Sequence, residues 1–249
     1  MNKPENIFAK YELPLFFLLT YLLSWWIVPF LQGGMLAQGP TFAAVIVIAL
    51  TAGRQGLREF WHHLTNFRAG WWYLIGPAII AVYLLTAFAI NLLLGATVAN
   101  PPHLPSSAVL IQLLLFGGLW EEPGWTGYAL PKLQEQFANR SKGPMITTLI
   151  LGFLRAFWHL PLFLYGTLPW YDIFIFIFAF QLIISWLYNK TKGSVPAVML
   201  FHYASNVLTG STMLLVFSGS AKTTYYILFV ICASLTALVI AWKSKFRLG

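Results

Sequence analysis

The sequence predicts an all-α protein, a polytopic membrane bundle of about eight transmembrane helices with both termini in the cytoplasm. Composition is the first observation. The 249 residues are 59% hydrophobic, 17% aromatic and 9% charged, whereas a soluble domain carries about 25% charged residues. The second observation is the length of the apolar runs, and the third is the placement of Lys and Arg between them. No polar linker, composition break or internal repeat divides the chain, so residues 1–249 are expected to form a single transmembrane domain.

Eight apolar runs approach the length of about 20 residues that a helix needs to cross a bilayer. The second run is short and the fourth contains two glutamates, so these two satisfy the criterion least well. The predicted spans are residues 14–31, 38–53, 71–95, 108–130, 144–165, 170–189, 194–217 and 223–242. The first run is longer than the core of a signal peptide and is expected to be retained. The basic and aromatic segment 56–68 is expected to be a helix at the membrane surface.

Lys and Arg accumulate in the cytoplasmic connections of membrane proteins. In this chain they occupy the amino terminus, with Lys3 and Lys10, alternate connections between the predicted spans, and the carboxyl-terminal tail. Of the 15 basic residues, two depart from this pattern: Lys222 lies in an opposite connection and Arg155 lies within a span. The alternation favours an even number of crossings. The net charge of +8 is therefore interpreted as membrane orientation, and no nucleic-acid partner is expected.

A few strongly polar side chains lie within the predicted spans, where lipid cannot hydrate them, which makes them candidates for function. They lie on three different spans and could meet inside one bundle. The set is Glu121, Glu122, Arg155, His159, His202 and Asn206. A spacing of four residues places Arg155 with His159, and His202 with Asn206, on shared helix faces.

Two prolines predict local breaks beside these candidates. Pro123 follows Glu122, where it disfavours helical dihedrals and removes a hydrogen bond. Pro161 follows His159 by two residues and is expected to end or kink the helix there. Broken helices at membrane depth are tolerated where they line a cavity. The stretch LWEEPGWTGYALPKL is therefore interpreted as a helix interrupted at its own carboxylates and facing a pocket open to the cytoplasm.

These residue types suit hydrolysis of a peptide bond inside the membrane. A carboxylate and a histidine can take the proton of a shared water and direct the hydroxide at a carbonyl. A second histidine and an asparagine amide can donate hydrogen bonds to the oxyanion that forms. This version needs no cofactor. A competing version holds Zn²⁺ with Glu121, His159 and His202, a known type of catalytic zinc set, although the chain has no HExxH motif.

Each candidate also has a structural interpretation. The two glutamates could serve only as ion-pair partners of Arg155, and the histidines and Asn206 could hydrogen-bond between helices. Two function classes without proteolysis therefore stay open. One is a non-catalytic membrane protein that binds a partner, for example in bacteriocin immunity. The other is a small proton-coupled transporter whose buried Glu and His relay protons.

The order of the motifs resembles the CPBP family, the CAAX-protease and bacteriocin-processing intramembrane peptidases, also called the Abi family. The likeness covers about residues 110–210 and rests on EEPGWTGYALPKLQ, on FWHLPLF and on the HxxxN pattern of FHYASN. The resemblance implies that Glu121 and His159 activate water and that His202 and Asn206 form the oxyanion hole. It also implies a membrane-associated peptide or protein as substrate. The location that we predict is the plasma membrane of a bacterium, in which the chain is a multi-pass protein.

Two positions depart from the family pattern. The first motif of the family ends in an arginine four residues after the second glutamate, where this chain has Thr126. The second motif has an aromatic residue four positions before its histidine, where this chain has Arg155. We hypothesise that Arg155 supplies the charge that Thr126 lacks, with Glu122 as its structural partner and Glu121 left as the base. The departures could instead mark an inactive family member.

Overall fold

The structure is a computed structural model that describes residues 10–248, and every regular element within that range is helical. The predicted all-α class is therefore confirmed. The helices are α1 (Glu12–Trp25), α2 (Gly39–Thr51), α3 (Gly53–Leu64), α4 (Trp72–Leu93), α5 (Ser107–Phe116), α6 (Leu130–Gln136), α7 (Gly143–Trp158), α8 (Leu160–Leu164), α9 (Ile177–Lys190), α10 (Val195–Ser205) and α11 (Gly219–Lys243). Short helical turns occupy Gly118–Glu121, Glu122–Gly124, Trp125–Ala129, Asp172–Phe176, Asn206–Gly210 and Met213–Leu215. Lys3, which entered the orientation argument, lies outside the described residues.

Within residues 10–248, three helical segments are long and apolar enough to cross a membrane. They are α4, α9 together with the turn that precedes it (Asp172–Lys190), and α11. The shorter helices α1, α2 and α7 are also apolar. Large apolar side chains such as Leu22, Val82 and Leu238 are exposed, as expected of surfaces that face lipid. The number of eight crossings and the cytoplasmic position of both termini stay predictions.

Helix α3 occupies the segment for which a surface helix was predicted, although it begins three residues earlier. Phe60 is its one buried residue, while Arg54 and Arg58 are exposed. A helix that packs a few apolar side chains on one face and exposes basic residues on the other is typical of the membrane interface. Its position in the interface stays a prediction.

Helix α9 lies at the centre of the bundle, where it packs against α7, α10 and α11. Most of its side chains are buried. Lipid is as apolar as the helix surfaces, so close packing rather than exclusion of water holds such helices together. Aromatic pairs supply part of that packing: the rings of Phe180 and Phe201 are stacked 5.1 Å apart, and those of Trp125 and Trp158 meet edge to face at 6.0 Å.

The fourth predicted span is broken, but at a different residue from the one expected. Helix α5 ends at Phe116, and Gly117 is extended, with φ −84° and ψ 177°. A Cβ atom on Gly117 would lie 2.2 Å from the carbonyl oxygen of Leu113, so the break requires glycine. The interruption therefore precedes the two glutamates rather than falling on them.

The expectation that Pro123 removes Glu122 from helical dihedrals is wrong. Glu122 has φ −66° and ψ −33°, which is ordinary helical geometry. Pro123 lies in the first turn of a new helical segment, where its missing N–H would have no intrahelical partner in any case. Pro161 behaves as predicted, because α7 ends at Trp158 and His159 forms the junction with α8.

Candidate active site

Four of the predicted site residues line one cavity of about 430 Å³: Glu121, His159, His202 and Asn206. They come from the turn after α5, the end of α7, and α10 with the turn that follows it. The breaks at Gly117 and after Trp158 end their helices beside this cavity. Arg155 also contributes to the lining, whereas Glu122 lies behind it.

Glu122 is completely buried and accepts hydrogen bonds from three side chains. Its donors are the Nη2 atom of Arg155, the hydroxyl of Thr126 and the Nδ1 atom of His202, the last at 2.6 Å. A charge in a dry interior is tolerated when donors and an opposite charge surround it. The surroundings of Glu122 meet both conditions.

Arg155 is the cation of this cluster and is 1% exposed. Besides Glu122, it donates from Nη1 to Gln181 Oε1 at 3.0 Å and approaches Glu121 Oε2 at 3.4 Å. Its guanidinium carbon also lies 5.7 Å from the centre of the Trp125 ring. Gln181 was not predicted as a partner of Arg155. Gln181 lies inside the predicted sixth span, and a strongly polar side chain within an apolar span could have identified it as a candidate.

Glu121 has far fewer contacts than its neighbour. Its one hydrogen bond among the described residues is the long contact with Arg155, and its other carboxylate oxygen, Oε1, is free of partners there. A Cβ atom on Gly118 would lie 2.9 Å from that oxygen and 2.2 Å from His202 Nε2. Gly118 therefore allows these two atoms to approach the same point. This role of Gly118 was not predicted from the sequence.

His159 is held in one orientation by the backbone. Its Nδ1 atom lies 2.8 Å from the carbonyl oxygen of Arg155, and a carbonyl oxygen can only accept, so Nδ1 carries the proton. That tautomer leaves the lone pair of Nε2 available as an acceptor. The ring also meets Trp158 edge to face at 4.7 Å.

His202 and Asn206 follow one another on the same wall of the cavity. The Nδ1 atom of His202 is turned towards Glu122, so its Nε2 atom points away from that carboxylate. Phe180 packs against the imidazole edge to face at 5.0 Å. The side-chain amide of Asn206 is half-buried and makes no hydrogen bond within residues 10–248.

The residues with the closest potential metal-ligand atoms are Glu121, Glu122 and His202, whose ligand atoms all lie within 4.8 Å of one another. His159, which the zinc alternative included, is not part of this group. Both oxygens of Glu122 already accept hydrogen bonds, Oε1 from Arg155 and His202 and Oε2 from Thr126. A divalent cation would have to displace the guanidinium, so this set fits a metal ion poorly.

Comparison with known proteins identifies a related family. A family model for "Type II CAAX prenyl endopeptidase Rce1-like" proteins matches residues 102–208. "CAAX prenyl protease 2" of the archaeon Methanococcus maripaludis is 27% identical over 109 residues, which cover 39% of this chain. The matched segment spans 38% of that relative's own length. A bacterial plasma membrane stays a prediction. The family match includes all three motifs, and the two matches together confirm that this chain resembles the CPBP family.

Proposed function

We propose that this protein is an intramembrane endopeptidase that hydrolyses a peptide bond of a membrane-associated peptide or protein. The observation that carries the proposal is the single cavity that Glu121, His159, His202 and Asn206 share. The similarity of residues 102–208 to CAAX prenyl endopeptidases supports it.

In this proposal Glu121 is the base, because one of its oxygens is free of partners within residues 10–248 and it lines the cavity together with His159, His202 and Asn206. It takes one proton from a water molecule, while the Nε2 lone pair of His159 accepts a hydrogen bond from the other. The water oxygen attacks the carbonyl carbon of the substrate. When the C–N bond breaks, the proton on Glu121 passes to the departing nitrogen, and the products are a carboxylate and an amine.

His202 and Asn206 are the proposed donors to the oxyanion. The Nδ1 atom of His202 faces Glu122, so its Nε2 atom can also donate only when the ring carries both protons. The cluster then holds two negative charges, on the glutamates, and two positive charges, on Arg155 and His202. This balance supports a hydrolysis that needs no metal ion.

The substrate proposal extends to lipid-modified peptides. The related archaeal protein is named a prenyl protease, and apolar side chains of Leu113, Phe176, Phe180 and Phe229 line the cavity of this chain. Such a surface suits a hydrocarbon group attached to the peptide. Cleavage of matched peptides with and without a prenyl group on cysteine tests this part. We expect the prenylated peptide to be cleaved faster.

The function itself is tested by mass spectrometry of the membrane peptidome. Membranes that contain the full-length protein are compared with membranes that contain the Glu121→Gln variant at equal abundance. We expect new peptide termini in the first sample alone. The matched control is Glu135→Gln, which neutralises an exposed carboxylate at the end of α6 and should leave those termini unchanged. Identical termini for Glu121→Gln and the unaltered protein would contradict the proposal and favour a binding protein or a transporter.

A further inference from the structure

The cavity contains a second carboxylate that the proposed mechanism does not use. Asp172 begins the helical turn before α9, is 8% exposed, and lines the cavity together with Tyr226 of α11. The hydroxyl of Tyr226 donates a hydrogen bond to Asp172 Oδ2. The sequence analysis did not include Asp172, although it lies inside the predicted sixth span.

Asp172 differs from Glu122 in having no cation beside it. Within residues 10–248, no Lys, Arg or His nitrogen lies within 4.0 Å of its carboxylate. The phenol of Tyr226 is neutral, so it supplies a hydrogen bond without a compensating charge. An acidic group in a largely apolar cavity is unfavourable unless something pairs with it or solvates it. The position therefore has an unfilled requirement for positive charge.

A structural role explains only part of this arrangement. An acidic residue at the start of a helix can accept hydrogen bonds from free backbone N–H groups. The side chain of Asp172 makes no such bond among the described residues, and its one partner there is Tyr226. Asparagine would keep the bond from Tyr226, because its side-chain oxygen is also an acceptor. The charge is therefore not needed to join α9 to α11.

Another polar group of the same cavity has no hydrogen-bond partner among the described residues. Thr209, in the turn after α10, is 8% exposed, and its hydroxyl makes no hydrogen bond within the described part of the chain. A buried hydroxyl without a partner is costly. A ligand with several N–H donors would satisfy both this oxygen and the carboxylate.

We propose that Asp172, together with Tyr226 and Thr209, forms a subsite that binds a cationic group of the substrate. The chemical class is an ammonium or guanidinium group, as on a Lys or Arg side chain or a free amino terminus. The inference rests on the proposed peptidase function, because it names a feature of the peptide that the cavity accepts. The cation and the carboxylate form a charge-assisted hydrogen bond.

The test measures binding without cleavage. The full-length protein carrying Glu121→Gln is prepared in detergent, and the dissociation constants of acetylated ten-residue apolar peptides are measured. Each peptide has one lysine, which is moved along the series, and each has a partner with norleucine at that position. At one register we expect lysine to bind at least about tenfold more tightly than norleucine. Adding Asp172→Asn should reduce that ratio to about one.

A control variant makes the result specific. Glu135→Gln removes an exposed carboxylate outside the cavity and should leave the lysine preference unchanged. Equal binding of lysine and norleucine peptides at every register would overturn the inference. So would a preference that survives Asp172→Asn, or an absence of binding by every lysine peptide.

Failure of the inference can be told apart from failure of the proposed function. Cleavage of the same peptides by the protein with Glu121 intact is followed in parallel. Cleavage without any dependence on Asp172 would leave the peptidase proposal in place and remove the subsite. Binding that depends on Asp172, with no cleavage of any peptide, would keep the cation site and contradict the peptidase.

Discussion

Glu121 and Glu122 are adjacent residues of the same type, yet their surroundings are opposite. Glu122 accepts from Arg155, Thr126 and His202 and has no contact with the cavity. Glu121 lines the cavity and has one long contact, with Arg155. A carboxylate that already accepts three hydrogen bonds and does not line the cavity cannot easily take a proton from water, whereas one with a free oxygen beside the cavity can. The comparison assigns structural support to Glu122 and chemistry to Glu121.

The largest effect is expected where the two glutamates share a cation. Arg155→Ala would remove the buried cation that the two carboxylates share, and breaking a buried pair in this way costs about 3–5 kcal/mol. We expect the thermal unfolding midpoint in detergent to fall sharply and cleavage activity to disappear. Arg140→Ala, which removes an exposed cation, is the matched control and should change neither. A stable and active Arg155→Ala protein would show that the cluster does not depend on this charge.

A second substitution sharpens the same point. Thr126 lies next to Glu122 and carries the hydroxyl that this carboxylate accepts. In the Arg155→Ala background, an arginine at position 126 can place its guanidinium beside Glu122, in the space that the side chain of Arg155 has left. We therefore expect Thr126→Arg to restore part of the unfolding midpoint that Arg155→Ala loses. No recovery would contradict the hypothesis that Arg155 replaces a charge missing at position 126.

A smaller effect, confined to turnover, is expected for Asn206 on the cavity wall. Asn206→Ala removes one proposed donor to the oxyanion, a loss that costs about 10²–10³ in turnover. Its amide has no partner in the described structure, so the unfolding midpoint should change little. Turnover and thermal unfolding are measured on the same preparation. Unchanged turnover, or a fall explained by unfolding, would remove Asn206 from the mechanism.

The smallest effect on turnover is expected from filling the space between Glu121 and His202. A Cβ atom at position 118 would lie 2.2 Å from His202 Nε2 and 2.9 Å from Glu121 Oε1. In Gly118→Ala the new methyl group would therefore have to displace both atoms. We expect turnover to fall about tenfold, as overpacking typically costs about 1–3 kcal/mol. Gly76→Ala is the control, because a Cβ there meets its neighbours at an ordinary 3.5 Å. Equal turnover in both variants would contradict the close approach.

The helical class was predictable because a chain this apolar has few other ways to satisfy its backbone in lipid. The helix break before the glutamates was not located correctly. Pro123 was an obvious breaking residue, but proline is also suited to the first turn of a helix. The requirement for glycine at position 117 comes from the backbone of the preceding turn, and no residue type in the sequence signals that contact.

The polar candidates were predictable because charge within an apolar span is rare and conspicuous. Their convergence on one cavity depends on how the helices cross, which residue spacing along single helices does not determine. Gln181 and Asp172 also lie inside the sixth predicted span. They were missed because neither belongs to a recognised motif, and their importance comes from contacts made across helices.

The most direct test of the division between the two glutamates is to measure unfolding and turnover for Glu121→Gln and Glu122→Gln in parallel. Both variants remove one negative charge and keep the side-chain shape. The account predicts that Glu121→Gln keeps the unfolding midpoint while turnover falls by about 10²–10⁴. Glu122→Gln should lower the midpoint, because Arg155 and His202 lose their charged acceptor. Two variants with the same unfolding midpoint and the same turnover would contradict it.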